Sequence, residues 1–330
     1  ASWLSGRTAS WSARNRDRLR GAARGAPSSS PTPKTVESLF VKVWQALVSG
    51  LSVGSVYALI AQGYYVTFIT TGALNFGQGE FLMMGALFGL TCYVTLGLPY
   101  GVAVAGAVVL VGLMGVGLER VAIRPVLRHA LSLSWVLSTV AISIILKNAA
   151  VQIWGPEQIK FPSPFGDAVL RVGPAGIFPQ ELFIILAAIG TVLLVQVFLK
   201  RAVLGKALTA VAHNRNAAAV MGINVQRMIV LAFVISSALA GLGGILIAPI
   251  TFAWAYMGTV PGIKAFAAAI FGGLENPIGI LIGGLVIGLL EQFFGIINSN
   301  LKEGITFLVI LLILALRPTG LIGKKEIEKV

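Results

Sequence analysis

From residue 43 to residue 316 the chain is a succession of apolar stretches, most of them near the roughly 20 helical residues needed to cross about 30 Å of hydrocarbon. The pattern lacks the two-residue alternation of strands, and a backbone in lipid must satisfy its own hydrogen bonds. The expected fold is therefore all-α, a polytopic transmembrane helix bundle. Spans are expected at 43–69, 81–96, 101–118, 135–154, 181–199, 228–250, 278–297 and 305–316, which with a short segment at 256–273 makes about 8–9 crossings. Gly50 and Gly54 give the first span a face small enough for close helix packing, read here as packing within the bundle.

Two places break the apolar pattern. Residues 70–81, TTGALNFGQGEF, place Asn75, Gln78 and Glu80 among three glycines, and residues 256–273 open a short small-residue helix with Pro261-Gly262 and close it with Gly272-Gly273. Glycines two apart suggest a phosphate loop only between a strand and a helix, and neither neighbour of 70–81 is a strand. The remaining reading is a broken helix, tolerated at membrane depth where it is packed in protein or lines a watery cavity. Glu80 then sits in a first helical turn, where a carboxylate either complements the dipole or meets a solute. Asn75 and Gln78 either replace hydration along a solute path or satisfy the broken backbone. Phe76, Phe81 and Phe266 supply a candidate apolar wall, with Gly77 and Gly79 exposing backbone N–H groups to an anion.

Residues 200–227 form a polar island with five basic residues and no acidic one. Residues 205–221 read as one short helix with Leu208, Val211 and Ala212 on a shared face extended by Val220, stopped by Gly222. Loops rich in Lys and Arg lie on the cytoplasmic side, so this island is expected to present a surface to a cytoplasmic partner. Crossing counts put the loop at 119–128, the island and the basic C-terminus on that side, provided that 261–273 crosses, and the start of the first span outside. Lys147 lies within two turns of a span's end and is expected to snorkel outward.

The 330 residues are 56% apolar and 11% charged, with mean hydropathy +0.88, whereas soluble domains carry about 25% charged residues. The formal charge of +13 resides in loops beside apolar spans, which excludes nucleic acid as the reading of that charge. Cys92, the single cysteine, lies inside an apolar span and is expected to be an inert thiol. His129 and His213 have no second ligand at metal spacing, and neither Gly205-Lys206 nor Gly323-Lys324 has the surroundings of a phosphate loop. No metal or cofactor is expected in this chain, and it is not expected to be an enzyme. Residues 1–36, rich in Arg, Ser, Ala and Pro, are expected to be a disordered leader outside the bundle, from an early start or appended sequence as readily as a transit peptide. Residues 37–330 are expected to form the membrane domain.

Six segments occur in order: 54–60 (GSVYALI), 75–80 (NFGQGE), 119–125 (ERVAIRP), 222–224 (GIN), 262–266 (GIKAF) and 317–320 (RPTG). Together they resemble the LivH-like permeases of branched-chain amino-acid ABC importers over about residues 37–330, tail included. The resemblance implies a multi-pass protein of the bacterial cell inner membrane, a second LivM-like permease subunit, two cytoplasmic ATPases that use the ATP, a periplasmic solute-binding protein and surrounding lipid. It also implies alternating access, with the solute path at Asn75, Phe76, Gly77, Gln78, Gly79, Glu80, Phe81 and Phe266. ATPase coupling is expected at Gly205, Lys206, His213, Asn214, Arg215, Asn216 and Gly222. Relatives of this kind also move urea, amides or aromatic acids, which leaves the solute open. The rival expectation is an ion-coupled secondary transporter, which would show intramembrane acidic or histidine relays. A structural scaffold would explain neither break.

Overall fold

The computed structural model describes residues 33–127, 134–166, 168–172 and 175–316. The chain divides into two units, Ala1–Val41 and Lys42–Val330. In the first, residues 33–41 are described and helical. The rest of the leader, Arg128, His129 and the basic tail from Arg317 lie outside the described residues.

The elements are α1 (Pro33–Thr71), α2 (Gln78–Leu90), α3 (Tyr100–Leu118), α4 (Arg124–Leu127), α5 (Ser134–Trp154), β1 (Leu170–Val172), β2 (Ala175–Ile177), α6 (Pro179–Arg201), α7 (Val203–His213), α8 (Arg215–Val220), α9 (Val225–Thr251), α10 (Thr259–Gly272), α11 (Pro277–Ile297) and α12 (Lys302–Leu316). Six helices among the described residues are long and apolar enough to cross a membrane: α1, α3 with its extension, α5, α6, α9 and α11. The expected 8–9 is thus six by this measure. The difference lies in α2, α10 and α12, of 13, 14 and 15 residues, which reach only about 20–23 Å at 1.5 Å per residue.

Three local expectations are corrected. The loop expected at 119–128 is helical as far as it is described. A wide π-helical turn at Glu119–Ile123 carries α3 into α4, because Val121, Ala122 and Ile123 continue the apolar run, and the widened turn comes just before Pro125, which has no N–H to give. The helix expected over 205–221 is two helices broken at Asn214, whose extended backbone (φ −158°) frees its side chain to accept from the Ala217 N–H at 3.0 Å. Val220, expected on the buried stripe, is 89% exposed, because the break rotates α8 away from the face on which Leu208 and Val211 are buried. The long connection at 155–179 carries a short antiparallel hairpin with Leu170 opposite Ile177, and Ile159 bridges to Ala253 just past α9.

Two contacts give α1 its direction. The Ser49 hydroxyl donates to Glu181 at the start of α6 (2.5 Å), and Arg215 Nε donates to the Thr70 carbonyl (3.0 Å). These points are about 30 Å apart along the helix, so the basic segment lies at one end of the bundle and the 155–179 connection at the other. Glycine sets the helix spacing. A Cβ on Gly54 would come within 2.9 Å of the Gly284 carbonyl of α11, and one on Gly85 would collide with Gly241 of α9. The small residues expected to pack within the bundle therefore do so. Central α9 packs along both α2 and α3.

Candidate functional site

Helix α1 ends at Thr71, and Gly72 takes a left-handed conformation (φ +66°) that turns the chain back into the bundle. Asn75 Oδ1 accepts from the Gly77 N–H (3.0 Å), and Asn75 Nδ2 donates to Gln78 Oε1 (3.2 Å). Gln78 Nε2 donates to the Ser236 carbonyl (2.9 Å), and the Ser236 hydroxyl is shared between Gln78 Oε1 (3.1 Å) and the Gly63 carbonyl (2.9 Å). Both amides are fully buried. They fasten the broken backbone to α1 and α9.

The two short helices begin together. Gly79 lies against Gly258 and Gly262, so closely that a Cβ on any of the three would strike backbone. The Tyr64 hydroxyl donates to the Gly262 carbonyl (3.3 Å) beside them. Helices α2 and α10 thus bring their N-terminal ends, with their partial positive charge, to one place inside the bundle.

Glu80 is buried in the first turn of α2. Its Oε1 accepts from Ser143 Oγ (2.9 Å) and pairs with Lys147 Nζ (3.4 Å), both on α5, while its buried Oε2 has no hydrogen-bond partner among the described residues. Lys147, expected to snorkel outward, instead turns inward because a carboxylate waits one helix away. Phe76 stacks on Trp135 of α5 (6.1 Å between ring centroids) and tilts against Phe266 of α10 (5.5 Å), which meets Tyr64 (5.7 Å). Phe81, expected beside them, is 1% exposed and belongs to the packed core. Phe76 keeps 38% of its surface open.

A second charged cluster escaped the sequence reading. Lys264 of α10 is buried and donates to Glu291 of α11 (2.8 Å) and Glu303 of α12 (3.3 Å). Lys302 also approaches Glu291 (3.7 Å), and the Tyr57 hydroxyl donates to Glu291 Oε2 (2.8 Å). The available signal was an isolated lysine in a short apolar helix together with an isolated glutamate in the next, which the α10–α11 hairpin brings face to face.

At the basic end, Glu119 takes both Arg124 Nε (3.2 Å) and Nη2 (3.0 Å) and accepts from Gln226, tying the end of α3 to the start of α9. In the expected coupling segment, Gly205 is buried against the Phe198 carbonyl, Lys206 and Asn216 are exposed, and His213 Nδ1 lies 2.9 Å from the Thr209 carbonyl. Gly222 (φ +82°) ends α8, and Ile223 N–H closes back on the Ala218 carbonyl (3.0 Å). Arg215 is exposed, yet its Nε reaches the Thr70 carbonyl, and partial burial lowers its pKa from the usual arginine value. The exposed surface also includes four large apolar residues, Val203, Leu204, Val220 and Met221.

A family model described as "Branched-chain amino acid transport system / permease component" matches residues 46–314. The chain is 32% identical over 306 residues to the high-affinity branched-chain amino acid transport system permease protein LivH of Escherichia coli (strain K12), covering 88% of this chain and 99% of that protein. It is 33% identical over 309 residues to BraD, the permease protein of the corresponding system of Pseudomonas aeruginosa, covering 87% of this chain and 97% of that protein. Among solved structures, PsaBC from Streptococcus pneumoniae in complex with Fab aligns over 82% of this chain and 90% of that one, at 16% identity and TM-score 0.44.

Proposed function

The chain belongs to the family of branched-chain amino acid transport permease components, and on that premise we propose that it carries branched-chain or closely related amino acids across a bacterial inner membrane. It is a multi-pass membrane transporter subunit of the ABC class and not an enzyme. ATP is used by two partner ATPases, a second LivM-like permease subunit completes the membrane unit, and a periplasmic binding protein delivers the solute. In this reading α2 and α10 are two half-helices that share a crossing, and α12 crosses as well.

The observation that carries the reading is the family match across nearly all of the membrane domain. The two breaks support it, because α2 and α10 start beside each other inside the bundle, where a solute between outward and inward access would pass. Coupling is assigned to the α7–α8 corner, whose exposed Val203, Leu204, Val220 and Met221, in a segment with exposed Lys200, Arg201, Lys206 and Arg227, would enter an ATPase groove. Arg215, expected to meet the ATPase directly, is assigned instead to holding that corner against the end of α1.

The test is reconstitution of the complete complex in vesicles, with labelled leucine, isoleucine and valine offered on the binding protein. ATP-dependent accumulation of these, with little of urea, amides or aromatic acids, is expected. Accumulation driven by an ion gradient without the ATPases would overturn the reading in favour of a secondary transporter.

A further inference from the structure

Helix α5 is the least enclosed of the six long helices, with 17% of its apolar window buried against 67% for α9. An outer helix normally turns an apolar stripe inward. Here Ile142, Leu146, Ala150 and Val151 pack on the core, and beside them runs a second inward stripe, Trp135, Thr139, Ser143 and Lys147, four residues apart and so on one face. Trp135 stacks on Phe76, the Thr139 carbonyl and the Ser143 N–H lie against Gly77, and Ser143 and Lys147 reach Glu80. The stripe therefore follows the break from its first aromatic ring to its carboxylate.

The two lysine–glutamate pairs differ in how completely their buried carboxylates are satisfied. Glu291 has both oxygens engaged, Oε1 by Lys264 at 2.8 Å and Oε2 by Tyr57. Glu80 holds Lys147 at 3.4 Å through Oε1 alone, and its buried Oε2 has no hydrogen-bond partner among the described residues. A buried carboxylate oxygen without a donor is costly, and the Lys147 side chain is still 23% exposed. The first cluster is built to stay closed, whereas the second has capacity left for one cation at Glu80 and a reachable ammonium for one anion at Lys147. Phe76 and Trp135 beside it present aromatic faces, which attract ammonium groups.

We propose that Glu80 and Lys147 form a charge pair that a zwitterionic solute opens in passing, its ammonium group taking Glu80 and its carboxylate taking Lys147. The proposal rests on the amino-acid cargo assigned above. It gives the path a chemical selectivity, because an uncharged solute cannot replace both partners of the pair. Asn75 and Gln78, each bonded to neighbours within the chain, hold the break that presents Glu80.

The experiment uses the reconstituted complex with its binding protein and three variants, Glu80→Gln, Lys147→Met and the two together. The amount of assembled complex and the leucine uptake per complex are measured. Each single variant is expected to lower uptake per complex at least tenfold. The double variant leaves no unpaired charge, so a merely structural pair would recover, whereas a solute-exchanging pair stays at least tenfold down. Uptake of the double variant within twofold of wild type overturns the proposal, as does either single variant at that level. If the double variant assembles poorly, Glu80→Gln/Lys147→Gln, which keeps a polar pair without charge, decides by the same thresholds. A wild-type complex that carries no branched-chain amino acid would instead fail the functional reading itself.

Discussion

Among the buried polar residues, charge and amide groups behave differently when one partner is removed. Lys264 and Tyr57 both satisfy Glu291 inside the bundle, so Lys264→Met leaves that buried carboxylate with Tyr57 and the more distant Lys302, at a cost of up to about 3–5 kcal/mol. The expected outcome is strongly reduced folded complex on a detergent-stability assay, with partial recovery in Lys264→Met/Glu291→Met. Recovery absent from the double variant would show that the pair does more than neutralise itself. Gln78→Ala removes the donor to the Ser236 carbonyl and the acceptor for Asn75 Nδ2 and the Ser236 hydroxyl, at about 1–3 kcal/mol. Less complex in the membrane with normal uptake per complex is expected, measured by quantitative blotting beside transport. Normal complex with depressed uptake would return Gln78 to the solute path.

At the scale of elements, the basic corner divides its labour between its inner and outer faces. The outer face of α7 and α8 exposes Val203, Leu204, Val220 and Met221, while Asn214 caps α8 and Arg215 reaches Thr70. Val220→Glu/Met221→Glu is expected to cut co-purification of the ATPases by tenfold or more, with the permease still folded. Arg215→Gln is expected to retain the ATPases but slow uptake several-fold, because the corner no longer pulls on the end of α1. Loss of the ATPases from the Arg215 variant would make it a docking residue after all. This corner was only partly legible in sequence. The basic charges and the Gly222 stop could be read directly, but an Asn in a helical run can sit within the helix or start a new one. Only the rotation after Asn214 put Val220 in the open.

Across the whole molecule, the contacts of α1 set the direction of the bundle. Ser49 meets the start of α6 near the 155–179 connection, and Thr70 meets the basic corner about 30 Å away. Cys92 is buried, so cysteines introduced elsewhere can be labelled against a low background. In membrane vesicles turned inside out, Val220→Cys is expected to react with an impermeant maleimide. Phe165→Cys and Val169→Cys, exposed on the long connection, are expected to react only in right-side-out cells. Labelling of all three from one side would refute the orientation.

The apolar run lengths by themselves determined that the chain is a helical membrane bundle, because no other backbone arrangement with this period is satisfied in lipid. The glycines and polar residues at 70–81 and 256–273 likewise determined where helices break, since those residues fail locally. What the sequence could not supply was pairing across distance. Lys147 looked free to snorkel because Glu80 is 67 positions away, and Lys264 drew no notice because Glu291 and Tyr57 lie on other helices. Phe81 looked equivalent to Phe76 until α2 turned one ring into the core and left the other partly exposed. A side chain's surroundings in a bundle depend on which helices lie beside it and how each is rotated. Contacts between distant segments set both, and no local run of residues encodes them.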